Sequence, residues 1–327
     1  MAILITGSAG HLGEALMRVL RASGRDPLGL DLKPAPFTTT VGSIHDRAFV
    51  KRCVQGVDAV IHAATLHKPH IATHSKQAFV DTNIIGTLNL LEEAASAGVR
   101  AFVFTSSTSV FGRALTPPPG APAAWITEDV VAVPKNIYGI TKLAAEQLCE
   151  LFHRSRGLPT IVLRTSRFFP DEDDRKATRD AYADENVKAN EFLYRRADIE
   201  DVVSAHLLAL EQAPALGFGR YIVSATTPFT REDLQQLRTN APAAVVRRVP
   251  AYVDVYARRG WSMFPHIDRV CVNDRARTEL GWNPHYDFAR VIDRLANGAD
   301  FRSSLAHVVG TKLYHPETFT DGPYPVE

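Results

Sequence analysis

The chain has 327 residues, 45% of them hydrophobic and 22% charged, with a formal net charge of +1. This length supports one large or two intimately joined domains with a full core. The near-neutral balance carries no nucleic-acid or membrane-surface footprint, and no apolar run approaches the ~20 residues of a membrane span. The three cysteines, Cys53, Cys149 and Cys271, are widely spaced and form no CxxC pair. That usage fits a reduced, cytoplasmic protein whose thiols fill the core. The first apolar run is too short for a signal peptide.

That run, Ala2 to Ile5, reads as a buried strand. It leads into Gly7, Gly10 and Gly13, and then into an amphipathic helical pattern through Leu12, Ala15, Leu16, Val19 and Leu20. Strand, glycine turn and helix form the context in which a backbone turns sharply and brings a pyrophosphate to a helix N-terminus. A second apolar stretch ends at Asp31, eighteen residues after Gly13, where a dinucleotide-binding fold places its ribose-binding acid. A Pro/Thr-rich loop to Gly42 follows, then a helix over 47–55 and a continuous apolar strand from Val57 to Ala64. A loop with His67, Lys68, His70 and His74 precedes a helix that starts near Lys76, and the next strand runs from Val99 to Thr105. Strand and helix alternate as in a doubly wound parallel α/β sheet.

The strand ends in Ser106-Ser107-Thr108-Ser109, and ligands in such sheets lie beyond the carboxyl ends of the strands. Tyr138 and Lys142 stand four apart at the start of a helix and share one face of it. A phenol beside an ammonium suits proton transfer to or from an alcohol oxygen. Further on, 159–164 and 220–225 read as strands, Asp198 to Asp201 as the cap of a helix to Leu210, and Thr230 as a helix start. A short strand over 243–249, a final helix over 288–295 and an extended tail ending Pro323-Tyr-Pro-Val-Glu327 complete the pattern. Trp261, Met263 and Phe264 read as core by default.

TGSAGHLG, Asp31, IHAA, NIIGTLNLLEEA, SSTSVFG and YGITK, in that order, together with NDRARTELGWNP at 273–284, resemble the extended short-chain dehydrogenase/reductases, and specifically the NAD-dependent epimerase/dehydratase family. The resemblance implies a Rossmann domain at 1–167 with 198–225 returning to it, and a smaller C-terminal substrate domain built from 168–197 and 226–327. It implies NAD as cofactor, held at Gly7, Gly10, His11, Leu12, Gly13, Asp31, Ser43, Ile44, Ala63, Ala64 and Asn83, as well as at Tyr138 and Lys142. Asn83 has a helix cap as its alternative role. In catalysis the resemblance assigns Tyr138 as acid/base, Ser107 as the group orienting the substrate hydroxyl, and Lys142 as the tuner of Tyr138. By the same analogy the chain forms a homodimer through the helices around 83–97 and 138–152. No metal is implied, and the histidine loop is expected to border the substrate.

Three departures narrow the expectation. Ser43 stands where the family often has an Asp reaching the adenine. Thr108 and Ser109 replace the acid pair of the dehydratases, and hydroxyls cannot serve as a general acid near pH 7, so elimination is disfavoured. Arg167, in Arg164-Thr-Ser-Arg167-Phe-Phe-Pro170, replaces an Asn that seats nucleotide sugars. It either clamps an anion or pairs with the nearby Asp171, Glu172, Asp173 or Asp174. The substrate is therefore expected to be a small sugar- or sugar-acid-like alcohol, with Thr108, Lys68 and Arg167 as candidate contacts. An NAD-linked dehydrogenase is the leading reading; a nucleotide-sugar epimerase with a transient keto intermediate and a non-catalytic NAD-binding protein are the alternatives.

Overall fold

The computed structural model describes residues 1–312, 314, 315 and 319, so the expected extended tail at 323–327 lies outside the described residues. Nine strands occur among them: β1 Ile3–Thr6, β2 Leu28–Asp31, β3 Thr40–Val41, β4 Ala59–His62, β5 Ala101–Ser107, β6 Ala124–Ile126, β7 Thr160–Thr165, β8 Phe218–Val223 and β9 Arg269–Cys271. Seven of them form one sheet in the order β3-β2-β1-β4-β5-β7-β8, paired in parallel throughout. The order reverses between β1 and β4, which opens a crevice at their carboxyl ends. The molecule is thus a Rossmann-type doubly wound α/β fold.

The central strands are buried on both faces, as a parallel sheet between helical layers requires. One face is covered by helices His11–Ala22 and Ile199–Leu216, the other by Arg47–Cys53, Gly86–Ser96 and Ile137–Arg156. The helix ending at Leu216 runs six residues beyond the expected Leu210 and carries Pro214 in its last turn. Lacking an N–H, Pro214 cannot donate to the Leu210 carbonyl, so one i→i−4 bond is missing near the helix end, where only the last turn is affected.

A second core gathers Phe192 and Leu193 with residues from 225 to 301. Helix Phe288–Ala296 places Phe288, Val291, Ile292 and Leu295 on one buried stripe, each contributing about 1.5–3 kcal/mol on leaving water. Met263 is buried in this core, with Trp261 and Phe264 packed against it. The short parallel sheet β6-β9 ties 124–126 to 269–271, so part of the stretch expected inside the first domain pairs with the C-terminal region.

Two expected elements are corrected. The segment 243–249 is not a strand but lies largely within helix Ala241–Arg248. Asn240 caps it by accepting the Ala243 N–H at 3.2 Å, and Pro242 sits in its first turn, both strong start signals that outweigh the β-branched Val245 and Val246. Helix Phe288–Ala296 is not the last, because Ser303 caps a further helix, Ser304–Val309.

Candidate active site

β1 hands the chain to Gly7, whose φ is +78°. A β-carbon there would stand 2.7 Å from the Ala64 nitrogen, and one on Gly13 would stand 1.9 Å from the Gly7 carbonyl oxygen. Only glycine permits this approach. The Gly10 N–H closes the turn on the Gly7 carbonyl at 3.0 Å, and helix His11–Ala22 then starts without a side-chain cap. Its first N–H groups are left for an anion, favoured by the helix dipole.

Asp31 ends β2 beside this turn. Its Oδ2 accepts the Ala9 N–H at 3.0 Å and its Oδ1 the Lys33 N–H at 2.9 Å, so the carboxylate also braces the glycine loop. Ser43 Oγ accepts the His45 N–H at 3.1 Å. With Ile44, Ala63 and Ala64, these residues line one end of a cleft of about 540 Å³. A glycine cradle, an uncapped helix start and an acid at the next strand end fit a dinucleotide.

Tyr138 and Lys142 stand at the middle of the cleft, on helix Ile137–Arg156, which Asn136 caps by accepting the Gly139 N–H at 3.0 Å. Each is only 2% exposed. Burial pushes the Tyr138 phenol well above its ordinary range, opposed by a hydrogen bond with the Ser107 hydroxyl. Burial also lowers Lys142 to about 7, opposed by the carboxylate of Glu146. Its Nζ lies 4.1 Å from the centre of the Phe104 ring. Glu146 in turn accepts from Arg164 at 2.7 Å and from Ser106 Oγ at 2.5 Å. A phenol, a hydroxyl beside it and an amine one turn away can move a proton to or from an alcohol.

Beyond Tyr138 the cleft is walled by His67, Phe168, Phe169 and Tyr314. Lys68 pairs with Asp174 at 2.5 Å, and Arg167 with Asp173 at 2.8 Å and Glu191 at 3.5 Å. Lys312 crosses to the cofactor end: its N–H donates to His11 Nε2 at 2.8 Å, and its Nζ meets Glu14 at 2.5 Å. Burial, and then the Lys312 charge, hold His11 down to about 4, so its ring is neutral near pH 7.

The model of the NAD dependent epimerase/dehydratase family matches residues 3–223. The chain belongs to this family. It is an NAD-dependent enzyme of the extended short-chain dehydrogenase/reductase type. A UDP-glucose 4-epimerase of Rhizobium meliloti is 25% identical over 90% of this chain and 96% of its own length. An uncharacterized protein y4nG of Sinorhizobium fredii is 31% identical over 49% of this chain, which spans only 39% of that protein. The crystal structure of a short-chain dehydrogenase/reductase superfamily protein from Agrobacterium tumefaciens, with bound NAD, superposes with a TM-score of 0.65 at 26% identity, covering 91% of this chain and 96% of that one.

Within this epimerase/dehydratase frame, Asn83 stands behind the cleft wall rather than in it. Its Oδ1 accepts from Thr65 Oγ1 at 3.0 Å and from the Leu66 N–H at 2.8 Å; its Nδ2 donates to the Leu66 carbonyl and to Thr141 Oγ1, both at 3.0 Å. The side chain is fully occupied in tying the histidine loop to the Tyr138 helix. Asn83 is not a helix cap either, since it sits inside the π-turn Val80–Ile85. Thr108 opens a 3₁₀ turn, and neither it nor Ser107, Lys68 or Arg167 is among the residues lining the cleft. His70 and His74 pack ring against ring at 5.1 Å, and no group of three metal-binding side chains occurs among the described residues. Lys312, Tyr314 and His315 line the cleft from the C-terminal end, where the sequence carries no motif to announce them. No helix among the described residues is long and apolar enough to cross a membrane.

Proposed function

We propose that the enzyme oxidises or reduces a secondary alcohol carbon of a small sugar-like substrate, with Tyr138 as the proton carrier. The observation that supports this most is that Tyr138 and Lys142 line the cleft together with the glycine turn and the aromatic wall, with Ser107 beside the Tyr138 phenol. Gly7, Gly10, Gly13 and the first turn at His11 and Leu12 hold the pyrophosphate. Asp31 takes the adenosine ribose, where a carboxylate disfavours a 2′-phosphate, and Ser43, Ile44, Ala63 and Ala64 flank the adenine half. NAD supplies the acceptor or donor of the hydride at its nicotinamide.

Tyr138 takes the proton of the substrate hydroxyl as that carbon is oxidised, and returns it in the reverse direction. Ser107 hydrogen-bonds the same oxygen, and the positive charge of Lys142 favours phenolate. Lys68 and Arg167, the cations expected to contact the substrate, lie outside the residues lining the cleft and are neutralised by Asp174 and by Asp173 with Glu191. Both are thus engaged elsewhere, which supports a substrate without a diphosphate. A nucleotide-sugar epimerase is the second reading, favoured by the near full-length match to a UDP-glucose 4-epimerase. Absorbance at 340 nm with NAD and a panel of sugars, sugar acids and polyols separates the two. Net NADH supports a dehydrogenase, whereas interconversion of UDP-glucose and UDP-galactose without net NADH replaces it with the epimerase.

We also propose a homodimer through helices Gly86–Ser96 and Ile137–Arg156, the latter exposing Ile140 and Leu151. A 36.0 kDa species in light scattering refutes it. The unpaired cysteines support a reduced, cytoplasmic setting.

A further inference from the structure

We infer that His67 seats the substrate, its Nε2 hydrogen-bonding a hydroxyl of an uncharged sugar ring whose apolar face rests on the Phe169 side of the cleft. This rests on the sugar-alcohol reading above and narrows it. His67 lines the cleft, and its ring centre lies 4.9 Å from that of Tyr138. A group bound to it therefore sits one or two carbons from the reacting hydroxyl.

The ring is held rigidly. Phe169 meets it edge-on at 4.8 Å and Tyr314 stacks on it at 5.6 Å. The His67 backbone N–H is fixed by His70 Nδ1 at 2.8 Å. Such pre-organisation lowers the entropy cost of gripping a ligand. Its Nδ1 is buried and has no hydrogen-bond partner among the described residues, so Nε2 is the ring nitrogen left to meet a ligand.

The chemistry of the surroundings selects the class of ligand. Burial, reinforced by His70, Lys142 and Lys68, keeps His67 neutral. A neutral imidazole serves a hydroxyl as donor or acceptor but gives no ionic grip on a carboxylate or phosphate. Lys68 and Arg167 already face carboxylates. Aromatic faces beside a single neutral polar atom suit a ring with C–H groups on one face and hydroxyls at its edge.

The test is calorimetry on the NAD-loaded enzyme with D-glucose, D-galactose, D-glucuronate and UDP-glucose, for the wild type, His67→Phe and His67→Gln. Phenylalanine keeps the ring packing and removes both nitrogens; glutamine keeps a donor and an acceptor. A neutral hexose is expected to bind the wild type more tightly than glucuronate or UDP-glucose. His67→Phe should weaken that hexose roughly ten- to hundred-fold with NAD affinity and melting temperature unchanged, and His67→Gln should recover part of the loss. Where the hexose is also oxidised, the loss falls on KM rather than kcat. Equal hexose affinity in His67→Phe, preference for glucuronate or UDP-glucose, or no hexose binding at all overturns the assignment. Hexose binding that depends on His67 but yields no NADH in the wild type upholds His67 and removes the dehydrogenase reading instead.

Discussion

Lys142 places a chargeable amine in a nearly buried position at the cleft wall, and its consequence for stability can be worked from the structure. It is 2% exposed, and its pKa falls from 10.5 to about 7. Between those values the unfolded chain binds more protons than the folded one, so stability rises with pH across the window. At 1.36 kcal/mol per unit, the penalty is about 4 kcal/mol at pH 7 and about 2 kcal/mol at pH 9. Lys142→Met fills a similar volume without the amine, and Glu146 keeps Arg164 and Ser106 as partners. The cofactor-free variant should therefore be more stable than wild type at pH 7, by on the order of 2–4 kcal/mol, and by about half as much at pH 9, while losing turnover. Urea unfolding of both proteins at the two pH values measures this. Parallel pH dependence, or a variant less stable than wild type at pH 7, refutes the account of Lys142 as a group kept at the expense of stability.

Tyr138→Phe removes the proton carrier and should lower kcat by roughly 10²–10⁴ with NAD binding intact; wild-type turnover would exclude Tyr138 as the acid/base. In Gly13→Ala the new β-carbon meets the Gly7 carbonyl at 1.9 Å, so NAD binding should be lost with circular dichroism little changed, and titration with NADH fluorescence reads this directly. Lys312→Ala breaks the contact with Glu14, made by side chains 30% and 7% exposed. A pair this accessible contributes roughly 0.2–1 kcal/mol, so stopped-flow NADH release should accelerate by up to about fivefold. A much larger acceleration would mean that Lys312 holds the cofactor directly.

The cofactor half of the site is legible in the sequence because it is local. Gly7, Gly10 and Gly13 occupy one turn, Tyr138 and Lys142 one helical face, and strand after strand delivers its carboxyl end to the same crevice. The helix Ala241–Arg248 had its start signals in Asn240 and Pro242, but the branched side chains of Val245 and Val246 pointed the other way. Asn83 stood in a recognisable motif, yet its partners Leu66 and Thr141 are 17 and 58 residues away, so no spacing rule reveals that it clamps the loop to the helix. The substrate half is wholly of this second kind. Lys68 meets Asp174 across 106 residues, and Lys312 meets His11 across 301. His67, Phe169 and Tyr314 come from three separate segments to form one wall. Chemistry in this fold is therefore carried by short motifs and selectivity by long-range packing. The reaction class follows from a few residues of text, whereas the identity of the substrate depends on which neutral or charged groups the fold leaves facing Tyr138.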